Sequence, residues 1–340
     1  MSSKTRVAIN GFGRIGRNAL KIALTKKDIE LVAINDLTDT TTLAHLLRHD
    51  SNYGHYHKKV TSDKSHIIVD GHKILITAEP DPLKLPWKEL KVDVVIESTG
   101  RFTKGEDAAM HIKAGAKKVI ISAPVKGDDK EAMTAVIGVN ENEVGGGVDI
   151  ISNASCTTNN ITPVAAVIEE HFGIEKAMMT TIHSYTASQS LQDAPNKDLR
   201  EARSAAENIV PTTTGAAIAA AQALPALKGI FAGMSVRVPT PVVSMSDFTF
   251  LLKKDTTIEE VNTVIKKACK LPRFKGIMDC TEEELVSSDY IGDPHSSIVD
   301  LKLTNVVGGN LCKVVAWYDN EWGYSNRLIE MTQLVGKTIK

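Results

Sequence analysis

A strand, a glycine-rich turn and a helix follow one another without a spacer near the N-terminus, and this succession constrains the chain more than any other. Arg6-Val7-Ala8-Ile9-Asn10 has the near-continuous apolar character of a strand buried on both faces, and Gly11-Phe12-Gly13-Arg14-Ile15-Gly16 comes directly after it. Residues 17–26 then carry Leu20, Ile22, Ala23 and Leu24 in an amphipathic helical pattern, and 30–35 is a second apolar strand closed by Asp36. Parallel strands need a crossover, so this unit commits the chain to a parallel sheet. Glycines at this spacing permit a tight turn and let a pyrophosphate approach the helix N-terminus. An acid about 20 residues further on accepts hydrogen bonds from a ribose. Gly11, Gly13, Gly16 and Asp36 are therefore read as a dinucleotide site; a plain glycine turn is the alternative, and the flanking strands and the acid weigh against it.

The pattern continues beyond Asp36. Residues 43–49 read as a helix, and 57–77 alternates around the hairpin signal Asp70-Gly71. Residues 92–97 form a buried strand, 105–115 a helix, and 118–122 and 134–139 two more strands. Strands alternating with helices indicate a doubly wound, mostly parallel α/β sheet of the Rossmann kind, placed at residues 1–155.

That pattern ends at Ser152-Asn153-Ala154-Ser155-Cys156-Thr157-Thr158-Asn159, a run of small polar residues around one thiol. An apolar strand precedes it, and Ile161, Val164, Ala165 and Ile168 follow at helical spacing, with Pro163 expected near the helix start, where a missing N–H does no harm. Cys156 should thus lie on the first turn of a helix, where the dipole and free N–H groups favour a thiolate. A lone intracellular cysteine is as often a buried inert thiol, and the local sequence leaves both readings standing.

After this helix the organisation changes. Residues 176–185 read as a strand with His183 near its end, 185–209 as a long polar loop, 234–252 as strand material containing Arg237, 257–270 as an amphipathic helix and 313–318 as another strand. Strands without intervening helices suggest a second domain of the α+β kind with a mostly antiparallel sheet, at 156–321. A last helix, within 322–340, is expected to return to the first domain.

A dinucleotide site, a thiol at a helix start and a histidine on a following strand suit one reaction class. A thiolate adds to an aldehyde, the adduct passes hydride to a nicotinamide, and a thioester remains. A histidine such as His183 takes the hydroxyl proton and pairs with the thiolate as imidazolium. Taken alone, His183 reads more readily as a satisfied core residue, the commoner fate of a histidine among apolar strand residues. The net charge of −1 argues against nucleic acid or an anionic membrane as partner. No apolar run is long enough to span a bilayer, and the four cysteines show no CxxC pairing, so neither a metal site nor a disulfide framework is expected and a reducing cytoplasm fits best. The residues lead to an NAD-type, cysteine-dependent oxidoreductase, without a substrate.

Long motifs extend the reading. Asn10 to Arg17, Ser152 to Asn159, His183-Ser184-Tyr185-Thr186, Pro211-Thr212-Thr213-Thr214-Gly215-Ala216-Ala217, Arg237-Val238-Pro239-Thr240-Pro241 and Trp317 to Ser325 together resemble phosphorylating glyceraldehyde-3-phosphate dehydrogenase over nearly the whole chain. The resemblance implies NAD-dependent oxidation of glyceraldehyde 3-phosphate with inorganic phosphate to 1,3-bisphosphoglycerate, in glycolysis or gluconeogenesis, by a cytoplasmic homotetramer. It implies Cys156 as nucleophile and His183 as base, Thr186 and Arg237 on the substrate phosphate, and Ser155, Thr157, Thr214 and Gly215 on the attacking phosphate. Arg14, Ile15, Asp36, Ser122 and Asn320 match cofactor contacts, and the 185–209 loop matches a segment that crosses a subunit interface.

Three positions depart from the family pattern. Asn160 stands where most relatives have a second cysteine, and Pro80 where a basic residue usually lies near the cofactor. Glu201 follows Arg200 where many bacterial relatives carry a second arginine for phosphate. Asp293-Pro294-His295-Ser296-Ser297 resembles erythrose-4-phosphate dehydrogenase, which remains an alternative, as does a binding protein that only retains the fold; intact Cys156, His183 and Arg237 argue against the latter.

Overall fold

The first strand sets the layout of the N-terminal half. In a computed structural model that describes residues 4–125 and 131–339, β1 (Thr5–Asn10) leads through the glycine turn into α1 (Arg14–Ala23), and β2 (Ile29–Asn35) returns parallel to β1 with Asn10 beside Asn35. Next come α2 (Thr40–Arg48), the short pair β3 (His49–Asp50) and β4 (Gly54–His55), and then β5 (Val60–Ser62), β6 (His66–Val69) and β7 (His72–Thr77). Asp70 and Gly71, at φ 49° and 83°, make the turn between β6 and β7, both left-handed as a type I′ hairpin requires. The chain continues through β8 (Val94–Glu97), α3 (Gly105–Lys113), β9 (Lys118–Ile121), β10 (Ala132–Thr134) and β11 (Ile150–Ser152).

Among the described residues these strands, apart from the separate pair β3-β4, form one sheet in the order β10-β11-β9-β8-β1-β2-β7-β6-β5. Pairing is parallel except where β6 meets β5 and β7. The reading of a doubly wound, mostly parallel sheet holds. Val7, Ala8, Ile9, Val94, Val95, Ile96 and Ile120 are all fully buried, which is why their strands carry no alternation.

The helix at Cys156, α4 (Cys156–Phe172), opens the second half. Then follow β12 (Ile174–Ser184), β13 (Val210–Thr212), α5 (Ala216–Ala223), β14 (Phe231–Val238), β15 (Ser244–Leu252), α6 (Ile258–Ala268), β16 (Met278–Thr281), β17 (Ser297–Asp300), β18 (Asn305–Val307), β19 (Leu311–Tyr318) and α7 (Trp322–Thr338). The sheet runs β13-β14-β12-β15-β19-β17-β16, with β18 on β19. It is mostly antiparallel, the parallel exceptions being β12 with β14 and β16 with β17. No regular element interrupts the chain between Ser184 and Val210, as the polar composition there implied.

Contacts divide the chain into one unit of Met1–Ala135, Asn142–Ala154 and Ser325–Lys340, and a second of Val136–Glu141 and Ser155–Tyr324. Within the first unit α7 is fastened to the start of the chain. Gln333 Nε2 donates to both carboxylate oxygens of Asp28 at 2.8 and 2.9 Å, and Gly336 packs so tightly on Thr5 that a Cβ there would lie 2.3 Å from its Oγ1.

Two expectations are corrected. The strand expected at 134–139 ends at Thr134, after which the chain turns back on itself, Asn140 N–H donating to Val136 O at 3.1 Å around Gly138 at φ 88°. Pro163 is not near the start of its helix: α4 begins at Cys156, which puts the proline two turns inside. There it removes one hydrogen bond at a cost of about 3 kcal/mol. Burial compensates. From Thr157 to Ile168 every residue of α4 is buried, and Ile161, Val164 and Ile168 pack with Phe248 and Phe250 of β15, Val261 and Ile265 of α6 and Val314 of β19. Each such side chain contributes about 1.5–3 kcal/mol on leaving water. A helix buried on every side over three turns is a central helix, so the start of α4 is held by the core of its unit. α5, which the sequence reading missed, is an alanine-rich run whose buried Ala216 and Ala220 join the same core.

Candidate active site

Each glycine of the N-terminal turn has its own reason. Gly11 sits at φ 94°, and a Cβ there would lie 2.6 Å from Thr99 N. At Gly16 it would lie 2.2 Å from Gly11 O, so α1 can approach the turn only at glycine. Gly13 differs, because a Cβ on it would meet nothing within 4 Å. It is the N-cap of α1, whose first turn has no side-chain cap. The open space at Gly13, at the start of α1, makes a cradle for an anion. Gly11, Gly13, Asp36, Leu37 and Pro80 line one cleft of about 280 Å³ with Thr99 and Arg101. The carboxylate of Asp36 is fixed there, accepting from Phe12 N–H at 2.8 Å and Thr38 N–H at 3.0 Å. These residues fit a dinucleotide. The Arg14 side chain is engaged elsewhere, donating to Asp50 at 2.8 Å, so its part in the cradle falls to its backbone. Ser122 follows β9, its N–H donating to Glu97 O at 2.9 Å.

Beneath the cleft lies a buried polar network that the sequence did not announce. Trp87 Nε1–H donates to His111 Nδ1 at 3.0 Å, which leaves the ring proton on Nε2, 3.0 Å from Glu97 Oε2. Asn10 Nδ2 donates to the same oxygen at 2.6 Å, and Asn35 Nδ2 donates to Asn10 Oδ1 at 2.7 Å. Glu97 Oε1 accepts from Thr99 N–H at 2.8 Å. A buried carboxylate is tolerable only with such partners, and here they tie the ends of β1, β2 and β8 to the cleft. Only the fold assembles them, since they come from five separate segments.

In the second unit Cys156 is the first residue of α4. Ser155 caps the helix, its Oγ accepting from Thr158 N–H at 3.0 Å. Ala154, just before, is held at φ 53°, a costly conformation for a non-glycine residue that turns the chain sharply before the thiol. Cys156 Sγ lies 3.6 Å from His183 Nε2. His183 stands on β12 opposite Arg237 on β14, and Arg237 Nη1 is 2.6 Å from His183 Nδ1. Nδ1 also lies 2.7 Å from Ser184 O. Tyr318 closes the group, its ring edge-on to His183 at 6.2 Å and its hydroxyl 2.9 Å from Thr157 Oγ1.

The electrostatics differ from the expected ion pair. Burial and the Arg237 cation push the His183 imidazole down to about 3, so the ring is neutral. Burial also raises the Cys156 thiol, opposed by Arg237 and by hydrogen bonds at the start of α4. An imidazolium beside a guanidinium in a buried site is a like-charge contact, which is why the neutral ring wins.

The remaining sequence-derived residues fall around this centre or away from it. Asn320 is buried, its Oδ1 accepting from Ser184 Oγ at 3.0 Å and Ser244 Oγ at 3.2 Å, which orients its amide. The Thr186 hydroxyl is 3.0 Å from Ser188 Oγ. Gly215 is the N-cap of α5 without a side-chain cap, and Thr214 Oγ1 accepts from Ala216 N–H at 3.2 Å. Thr214 lines a cavity of about 630 Å³ with Arg200, Thr212 and Thr213. Nε of Arg237 is shut off from solvent and has no hydrogen-bond partner, as a donor aimed at an anion would be. Asn160, in place of a second cysteine, reaches Ser296 O at 3.2 Å and Ser297 Oγ at 3.3 Å, a packing role.

Comparison with known proteins gives the family. Residues 5–105 match the model of the glyceraldehyde 3-phosphate dehydrogenase NAD binding domain, and residues 155–320 that of the C-terminal domain of the same enzyme. The chain is 56% identical over 334 residues to the glyceraldehyde-3-phosphate dehydrogenase of Thermotoga maritima, covering 98% of this chain and 99% of that one. It is 53% identical over 331 residues to that of Geobacillus stearothermophilus, with 97% and 98% covered. It is 52% identical over 336 residues to that of Streptomyces coelicolor, with 98% and 99% covered.

Proposed function

Because the chain belongs to the glyceraldehyde-3-phosphate dehydrogenase family, we infer that the thiol of Cys156, 3.6 Å from His183 Nε2, is the nucleophile of its reaction. The protein is an NAD-dependent oxidoreductase that oxidises glyceraldehyde 3-phosphate in glycolysis. Cys156 Sγ adds to the aldehyde carbon, and the adduct is a hemithioacetal. His183 Nε2 takes the proton of its hydroxyl as the carbonyl re-forms to a thioester. When bound, the nicotinamide supplies the hydride acceptor. Inorganic phosphate then attacks the thioester carbon, Cys156 leaves as thiolate, and the product is 1,3-bisphosphoglycerate.

Arg237 and Thr186 hold the substrate phosphate, and the unpartnered Arg237 Nε supports this. Ser155, Thr157, Thr214 and Gly215 receive inorganic phosphate, and the position of Thr214 and Gly215 at the start of α5, with Thr214 lining the cavity beside it, supports it. Thr157 shares its hydroxyl with Tyr318 and keeps one further hydrogen-bonding valence. Glu201 lies 3.4 Å from Thr212 Oγ1 and weakens phosphate binding by like charge. Gly11, Gly13, Gly16, Arg14 and Ile15 cradle the pyrophosphate, Asp36 binds the adenosine ribose, and Ser122 and Asn320 complete the cofactor contacts. The chain acts in the cytoplasm as a homotetramer; Leu191 and Leu199, 80% and 81% exposed on the 185–209 loop, are apolar surface for a neighbouring subunit. Among the described residues no helix is long and apolar enough to cross a membrane.

The reading is tested by steady-state NAD reduction on glyceraldehyde 3-phosphate and erythrose 4-phosphate, each with and without inorganic phosphate. Turnover on the three-carbon substrate that depends on phosphate supports it. Phosphate-independent turnover, or a preference for the four-carbon substrate, overturns it.

A further inference from the structure

Two of the other three cysteines come together far along the chain from Cys156. Cys269 is the C-cap residue of α6, and Cys280 lies in β16 directly after Asp279. The two Sγ atoms and a carboxylate oxygen of Asp279 all lie within 4.8 Å of one another. Neighbouring side chains of a strand ordinarily point to opposite faces. Asp279 is folded back along its own backbone instead, Oδ1 accepting from Cys280 N–H at 2.8 Å, and so joins the thiols. The three groups line a cavity of about 430 Å³ together with Lys266, Lys270 and Glu282. Lys266 donates to Glu282 at 2.7 Å. Cys312 makes the contrast: it is fully buried within the apolar core of the unit and belongs to no group of three such ligands among the described residues.

We propose that Cys269, Asp279 and Cys280 form a binding site for one soft divalent cation of the zinc class. Two thiolates and a carboxylate are a three-ligand set that leaves a fourth tetrahedral position to water. With Zn–S bonds of about 2.3 Å the sulfur atoms of such a site stand about 3.8 Å apart, a spacing within the size of this cluster. Thiolates select zinc over magnesium or calcium, which take oxygen ligands. Binding releases the two thiol protons to solvent and needs no oxidant, since zinc does not change its redox state. The bound set carries one residual negative charge, which Lys266 and Lys270 on the cavity wall offset. The cation fastens the end of α6 to β16, two elements of the second unit that no disulfide joins. Sequence spacing hid the site, because its two thiols come from different elements and make no CxxC pair.

Cobalt reports the site directly. The full chain carrying Cys156→Ser, which removes the competing nucleophile, is reduced, freed of metal and titrated with Co²⁺. A thiolate-to-cobalt charge-transfer band that saturates at one ion per chain and is bleached by Zn²⁺ supports the proposal. Cys269→Ser and Cys280→Ser each abolish the band, and Asp279→Asn weakens Co²⁺ binding by at least about tenfold. The same two cysteine variants, made with Cys156 present, keep NAD-dependent turnover within about twofold, which separates a lost ligand from a lost fold. Should either fail to fold, Asp279→Asn decides, and unchanged Co²⁺ affinity in that variant overturns the proposal. Absence of the band, or a band that survives both Cys269→Ser and Cys280→Ser, overturns it as well.

Discussion

Arg237 and His183 face each other across the parallel pair of β14 and β12, with Nη1 of the guanidinium 2.6 Å from Nδ1 of the imidazole. A guanidinium has no lone pair to offer and never loses its charge. The imidazole beside it therefore stays neutral. Nδ1 is claimed from two sides, because Ser184 O at 2.7 Å calls for a proton there and Arg237 calls for a lone pair. A substrate phosphate that draws Arg237 to itself releases Nδ1 to donate to Ser184 O. Nε2 is then a free acceptor facing Cys156, the tautomer a general base needs.

Arg237→Ala should therefore raise two titrations at once. His183 rises from about 3 towards its ordinary value, and the Cys156 thiol, which Arg237 holds down, rises further. Alkylation of Cys156 by iodoacetamide near pH 7 slows several-fold, and KM for glyceraldehyde 3-phosphate increases by at least about tenfold, as expected for a lost charge-assisted contact. An unchanged His183 titration by NMR would remove Arg237 from this role.

His183→Asn keeps a hydrogen-bonding group but cannot exchange a proton, and turnover should drop by about 10²–10⁴-fold. Stability offers an independent readout. The native ring titrates at about 3 and the unfolded one at about 6.5, so below that higher value the unfolded chain binds the extra proton. Stability then falls as pH drops from about 6.5 to about 3, by up to about 1.4 kcal/mol per pH unit, and is unaffected by this group at higher pH. Denaturant melts at pH 5 and pH 7 should differ less in His183→Asn than in the native chain. Equal differences mean that the ring is not depressed.

Cys156→Ser should bind NAD as before and lose turnover by at least about 10³-fold, because a serine hydroxyl is scarcely ionised at neutral pH. Cofactor titration by fluorescence alongside the rate assay separates the two effects. Native-like turnover in this variant is incompatible with a thioester on Cys156.

Cofactor choice is expected to rest on Asp36, which lines the cleft. A 2′-phosphate would bring like charge against it, and Leu37 beside it offers no compensating donor. The native enzyme should favour NAD over NADP by at least about tenfold in kcat/KM, worth about 1.4 kcal/mol. Asp36→Asn removes the charge and keeps one oxygen, enough for only one of the Phe12 and Thr38 N–H groups that now bond separate oxygens, and should narrow the ratio. A ratio unmoved by that change assigns the preference to the 185–209 loop instead.

The glycine turn separates binding from folding. Gly16→Ala places a Cβ 2.2 Å from Gly11 O and should cost about 1–3 kcal/mol of stability. Gly13→Ala meets no protein atom within 4 Å, so its melting temperature should stay near native while NAD affinity drops by at least about tenfold. Comparable loss of stability in both variants would show that Gly13 is a structural glycine like Gly16.

The sequence by itself determined what depends on neighbours along the chain. The strand-turn-helix from β1 to α1, the acid closing β2, the Asp70-Gly71 hairpin and the placing of Cys156 at a helix start were all legible, because each rests on backbone requirements met within a few residues. Element edges were less secure. Pro163 was expected near the helix start and instead lies two turns inside α4, where burial of the helix compensates for its missing N–H. Only the tertiary structure decided how His183 meets the thiol and in what charge state. His183 meets Cys156 and Arg237 through sheet register and helix packing, and the low dielectric of that site selects its neutral form. The same holds for the Trp87–His111–Glu97 network and for the grouping of Cys269, Asp279 and Cys280. Such clusters join residues far apart in the chain, and their charges depend on desolvation, a property of the packed unit that no local pattern carries.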